Sequence, residues 1–205
     1  MPEPTPPSPA RLILASTSPY RRMLLERLHL PFDVQSPHTD ETVMADERPR
    51  DVSLRLALAK ARAVAATRPA AVVIGSDQTA SLDGVRTLGK PGNHERACAQ
   101  LREVSGRTLV FHSALAVVRL DTGFEQADVI DTRVRFRELS DAAIERYLQL
   151  EPAYDCAGSA KAEGLGIALM AGFESSDPTA IVGLPLIALT GMLLAAGLDV
   201  LDSPR

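Results

Sequence analysis

The chain has 205 residues, 45% of them hydrophobic and 23% charged, with a net charge of −4. That size and composition belong to one soluble domain, or one domain with two lobes around a cleft, and supply enough apolar side chains for a sizeable core. The acidic balance and the lack of a long basic run argue against a nucleic-acid binder.

In chain order, residues 1–10 (MPEPTPPSPA) carry five prolines and no apolar run. They read as a disordered Pro-rich tail rather than a signal peptide, and residues 11–205 as a single domain. Leu12 to Ala15 is a short buried strand. Ser18 caps a helix with Pro19 at its first position, and Leu24, Leu25 and Leu28 form its apolar face. Phe32 to Gln35 reads as a second strand, His38 to Asp51 as a polar, acidic loop, and Val52 to Thr67 as a helix. Ala71 to Ser76 is a continuous apolar run, as expected for a strand covered on both faces. Asp83-Gly84 signals a turn and Gly89 to Gly92 a loop. Asn93 caps a helix to about Val104. Leu109 to Leu120 and roughly Asp128 to Phe136 form a β-hairpin around Asp121 to Gly123. Ser140 caps a helix to Leu150. Cys156 to Gly166 is a glycine-rich loop, Ile167 to Phe173 a strand, and Asp177-Pro178 a break. Pro185 opens the last helix and Gly197 ends it. The run Leu184 to Leu198 is too short and too interrupted to span a membrane. This alternation predicts a mixed α/β fold, and a cytoplasmic location is expected.

Four stretches carry chemistry. In "STSPYRR" two arginines, Arg21 and Arg22, stand in the first turn of a helix, where the macrodipole already disfavours cations. The arrangement is reasonable if a multiply charged anion binds there, with Ser16 and Ser18 donating hydroxyls to the same oxygens; a solvated surface pair is the alternative. Asp77 follows an apolar strand, where a carboxylate is costly unless paired or bound to a cation. It reads as a Mg²⁺ ligand or general base, with Asp40 and Glu41 as sources of a second carboxylate, or as a structural Asp bonded to loop amides. Lys90, between Gly89 and Pro91, suits a phosphate, although no P-loop pattern is present. Lys60 on its helix is another cation, and the loop carrying Lys161 and Glu163 is placed to close over a ligand. Cys98 and Cys156 are far apart and no CxxC or Cys/His ligand spacing occurs. Reduced thiols are therefore expected, and His29, His38, His94 and His112 form no zinc motif.

The segments LILASTSPYRR, TDET, RLALAKARAV, VIGSDQ, GKP, CAGSAKAEGLGI and VGLPL, in this order from about Arg11 to Gly197, resemble the Maf (septum-formation) family of nucleotide pyrophosphatases. The resemblance implies a Maf/ITPase-like mixed sheet flanked by helices, two lobes around a central cleft, and a homodimer. It also implies hydrolysis of a nucleoside triphosphate to the monophosphate and diphosphate with Mg²⁺ or Mn²⁺. Carried over by position, Asp77 activates water, Ser16, Arg21, Arg22, Lys60 and Lys90 line the phosphate site, and Glu41 joins Asp77 at the metal. Tyr20, Gln78 and Glu163 resemble the set of the branch acting on 7-methyl-GTP, where the first position is aromatic, often Trp. In the dTTP/UTP branch these positions hold Arg, Thr and Gln. An aromatic face attracts the positive 7-methylguanine ring, and a carboxylate accepts from its N–H edge. A non-catalytic nucleotide-binding regulator of cell division is the alternative from a different class.

Overall fold

The computed structural model describes residues 11–82 and 84–202; the predicted tail, 1–10, lies outside the described residues, as do Asp83 and 203–205. The elements run β1 (Leu12–Ala15), α1 (Pro19–Glu26), β2 (Phe32–Val34), α2 (Pro49–Ala65), β3 (Val72–Ser81), α3 (His94–Val104), β4 (Thr108–Arg119), β5 (Phe124–Phe136), α4 (Asp141–Leu150), β6 (Met170–Glu174) and α5 (Leu186–Ala195). One sheet holds all six strands in the order β2-β1-β3-β4-β5-β6. β1 pairs parallel with β2 and β3, and every pair from β3 to β6 is antiparallel. The expected mixed sheet flanked by helices is therefore present.

Side chains alternate across a strand, so the sheet has two faces to bury. Helix α2 covers one face, where Ala57, Ala61 and Val64 meet Val73, Ala114 and Ala116. On the other face there are two separate apolar clusters. Helices α1 and α5 pack Leu24, Leu25, Leu189 and Leu193 on Leu14, Ile74 and Leu115. Helices α3 and α4 pack Leu101, Ile144 and Leu148 on Leu109, Phe111 and Phe136. Between the two clusters the strands present Ser76, Gln78 and Ser113 instead of apolar residues. The 180–183 turn packs into this polar gap, where Ser76 and Ser113 donate to the Gly183 and Ala180 carbonyls, and the central cleft opens beside it.

Ser18, Asn93 and Ser140 each accept a hydrogen bond from the third residue onward and cap α1, α3 and α4, as their positions predict. Helix α5 has no such cap at Pro185. Its free N–H groups at Ile187 and Ala188 instead donate to Oδ2 of Asp177, which is buried behind the 177–183 turn. A residue that reads in sequence as a chain break thus caps a helix ten positions on.

Some boundaries differ from the sequence reading. Helix α2 starts at Pro49, so 49–51 belong to its first turn and not to the acidic loop; proline suits that position because its missing N–H has no partner there. β3 continues past Ser76 to Ser81, its polar second half held by the full ladder to β4. β5 starts at Phe124. Residues 165–169 form 3₁₀ turns, and β6 begins only at Met170. No helix among the described residues is long and apolar enough to cross a membrane.

Candidate active site

The cleft encloses about 650 Å³. Its floor is β3 and its centre is an ion triad. Lys60 Nζ lies 2.7 Å from Asp77 Oδ1 and 2.7 Å from Glu41 Oε1. Lys60 and Asp77 are only 6% and 8% exposed, whereas Glu41 comes from the open loop before α2. A buried ammonium needs a partner, and here it has two of opposite charge. The Lys60 ammonium holds the Glu41 carboxyl below its ordinary range.

Gly75 makes this approach possible. A Cβ there would sit 2.2 Å from the Ala57 carbonyl oxygen and 2.6 Å from the Ala61 nitrogen. With no side chain at Gly75, α2 lies directly on β3, and Lys60 reaches Asp77 two residues further along the strand.

The upper wall is the β1–α1 junction. Arg21 Nε donates to the Gly183 carbonyl at 3.0 Å, and Ser76 Oγ donates to the same oxygen at 2.9 Å. Gly183 has φ of +112°, a conformation open to glycine; the turn aims its carbonyl at both donors. Burial lowers the pKa of Arg21, while the charges of Asp77 and Glu41 oppose that shift. Ser16 Oγ accepts from the Ser18 N–H at 3.1 Å and lines the cleft.

Arg22 goes elsewhere. Its Nε pairs with Glu26 Oε1 at 3.0 Å, its side chain is 64% exposed, and it does not line the cleft. Successive helix residues point ~100° apart, and Arg22 turns along the outer face of α1 to Glu26, one turn on. The other nine candidate positions, Ser16, Tyr20, Arg21, Glu41, Lys60, Asp77, Gln78, Lys90 and Glu163, all line it. Asp40 does not. It turns its own loop by accepting from the Thr42 N–H and hydroxyl at 2.9 and 2.6 Å.

The cleft also holds groups suited to a base. Gln78 Nε2 donates to Ser113 Oγ and to the Ala180 and Ile181 carbonyls at 2.8, 3.1 and 3.1 Å. Three acceptors around the nitrogen fix the amide orientation and leave its oxygen as the group free to accept. Tyr20 Oη donates to Asp155 Oδ2 at 3.3 Å. Lys161 Nζ lies 5.8 Å from the Tyr20 ring centroid, within cation–π range, and 3.2 Å from Asp155 Oδ1. Burial works against the Lys161 charge, but the bonds to Tyr20 and Asp155 outweigh it and raise its pKa. Burial pushes the neighbouring Cys156 thiol up to about 12, so this cysteine is no thiolate nucleophile at neutral pH.

Two cleft residues escaped the sequence reading. Asp155 stands one position before the glycine-rich loop, and only its contact with Tyr20 marks it. Thr39 belongs to TDET, and its Oγ1 is buried with no hydrogen-bond partner. Such an orphan hydroxyl in a cleft wall is a donor waiting for a ligand or a water.

A second constellation lies further along β3. Ser81 Oγ is 2.9 Å from His112 Nε2, and His112 Nδ1 is 2.8 Å from Asp131 Oδ1. The order is that of a nucleophile relay, but Ser81 is fully buried and does not line the cleft.

The Maf-like protein family profile matches residues 11–196. A protein of Polaromonas sp. named 7-methyl-GTP pyrophosphatase is 61% identical over 191 residues, which span 93% of this chain and 87% of the relative. Proteins of the same name from Albidiferax ferrireducens and Bordetella avium are 57% and 61% identical, covering 96% and 95% of this chain and 98% and 97% of theirs. With the profile spanning both lobes and the whole cleft between them, this chain belongs to the Maf family.

Proposed function

We propose that this protein hydrolyses 7-methyl-GTP to 7-methyl-GMP and diphosphate, clearing modified nucleotides. The observation that carries the reading is the shared cleft, lined both by carboxylates and cations for a triphosphate and by Tyr20, Gln78, Asp155 and Glu163 for a base. The names of the relatives support the substrate.

In this reading the triphosphate lies along the β1–α1 junction. Arg21, Lys90 and the α1 N–H groups meet its oxygens. Asp77, fixed by Lys60, accepts a proton from water as the water oxygen attacks the α-phosphorus. The bond from the α-phosphorus to the bridging oxygen breaks, and diphosphate leaves with the electron pair. The cations stabilise the charge that develops on it. Glu41 and Asp77 each commit one oxygen to Lys60, and their remaining oxygens are the hard donors that Mg²⁺ or Mn²⁺ prefers beside substrate phosphates. The donor set fits such an ion, which would neutralise phosphate charge when bound.

N7-methylation makes the guanine ring cationic. Tyr20 supplies an aromatic face, and with Lys161 offsetting Asp155 the Glu163 carboxylate leaves the wall net negative, which favours a positive base. The Gln78 oxygen accepts from the guanine N–H edge.

A diphosphate-release assay with Mg²⁺ or Mn²⁺ tests this. The expected result is a higher kcat/KM for 7-methyl-GTP than for dTTP or UTP. A preference for dTTP or UTP overturns the substrate, and no turnover of any triphosphate overturns the reaction.

A further inference from the structure

Away from the cleft, α3 and α4 meet through three side chains that the proposed reaction does not use. His94 opens α3, Cys98 follows one turn later, and Glu145 faces them from α4. His94 Nε2 lies 3.0 Å from Glu145 Oε2 and 3.4 Å from Cys98 Sγ, and Cys98 Sγ lies 3.7 Å from Glu145 Oε2. The i, i+4 step of a helix puts His94 and Cys98 on one face, a ligand spacing that motif reading of the sequence does not register.

The triangle, with sides of 3.0, 3.4 and 3.7 Å, is within a few tenths of an ångström of a metal site. Bonds of ~2.0–2.1 Å to N and O and ~2.3 Å to S around a tetrahedral ion separate the ligand atoms by ~3.3–3.6 Å. The donors are one imidazole, one thiolate and one carboxylate, a mixture that selects Zn²⁺ over Mg²⁺ or Mn²⁺. Thiolate and carboxylate together balance the two positive charges. The other ring nitrogen is already held, with His94 Nδ1 3.0 Å from Tyr154 Oη. Such an outer partner fixes the ring with Nε2 turned toward Cys98 and Glu145. Cys98 is buried while Glu145 is exposed, so an ion has a way in from solvent.

We propose that His94, Cys98 and Glu145 bind Zn²⁺, with water as the fourth ligand, and so clasp α3 to α4. Burial and then the Glu145 charge raise the pKa of the Cys98 thiol, and zinc displaces that proton to solvent as it binds. The clasp also bears on the cleft. Tyr154 accepts from the Gly92 N–H through its carbonyl at 3.0 Å, beside the Lys90 loop, and is followed directly by Asp155. The ion therefore anchors one wall of the cleft through Tyr154.

The test uses the full chain, stripped with a chelator and kept in excess Mg²⁺ so that the cleft carboxylates do not compete. Zn²⁺ titrated against a chromophoric chelator should bind one ion per chain. Glu145→Gln, at an exposed position, should bind at least ~10-fold more weakly, and Cys98→Ser should lose most of the affinity. Co²⁺ should give thiolate-to-metal charge transfer and tetrahedral visible bands that persist in Cys156→Ser and vanish in Cys98→Ser. No stoichiometric zinc in the parent chain overturns the proposal. So does binding unchanged in Glu145→Gln, or a cobalt spectrum that depends on Cys156 instead of Cys98.

Discussion

Asp77 and Ser81 stand four residues apart on the same face of β3, and each belongs to a hydrogen-bonded chain of titratable groups. Distances alone do not separate them: Lys60 meets Asp77 at 2.7 Å, and His112 meets Ser81 and Asp131 at 2.9 and 2.8 Å. What differs is access. Asp77 borders an open cleft, and its partner Lys60 is shared with Glu41 on an exposed loop. Ser81 is closed in by the ladder to β4 and by its bridge to Thr87. The first chain can exchange partners with a ligand. The second can only satisfy buried polar atoms, which is what a buried hydroxyl and imidazole require. Residue types and spacing define a possible chemistry, and exposure decides whether it happens.

Substitutions sharpen this contrast. Asp77→Asn keeps the shape and removes the base, so triphosphate turnover should fall roughly 10²–10⁴-fold with the fold unchanged by circular dichroism. Activity near the parent value would remove Asp77 from the mechanism. Gly75→Ala should act on the same region by force. Its Cβ meets the α2 backbone, an overpacking that costs about 3 kcal/mol or more. At ~2–4 °C per kcal/mol, the melting temperature should drop by roughly 6–12 °C. An unchanged melting temperature would show that α2 moves off the sheet without penalty.

The adjacent arginines repeat the comparison within one helix turn. Arg21→Ala should lower kcat/KM by roughly 10- to 100-fold, the loss of a charged hydrogen bond worth about 1.5–3 kcal/mol. Arg22→Ala removes an exposed pair with Glu26 worth less than about 1 kcal/mol and should leave kcat/KM unchanged. Equal losses would place both arginines on the phosphates. Smallest of all on activity is Ser81→Ala. It should leave turnover intact while costing about 1–3 kcal/mol of stability in urea, because His112 Nε2 loses its partner. Loss of turnover in that variant would give the buried chain a catalytic part.

Local rules were enough for much of the fold. Ser18, Asn93 and Ser140 each read as caps because capping depends on a few neighbouring residues. The strands around Ile74 and Val117 read as apolar runs because both sheet faces are covered. The charged residues that gather in the cleft were also visible one by one, since a carboxylate after an apolar run or arginines at a helix start stand out as local conflicts. Whatever depends on three dimensions was not visible. The split of Arg21 from Arg22 follows from the helix turn and from the Gly183 carbonyl, 162 residues away from Arg21. The contact of Tyr20 with Asp155 crosses 135 residues. The cap that Asp177 provides, and the triangle of His94, Cys98 and Glu145, arise only once helices are docked.

The central claim is that water activated by Asp77 attacks the α-phosphorus of a triphosphate held in the cleft. Turnover of 7-methyl-GTP in water enriched in the heavy oxygen isotope tests it most directly, with both products analysed by mass. The label should appear in 7-methyl-GMP and be absent from the diphosphate. Label in the diphosphate would mean attack at the β-phosphorus and would contradict the account.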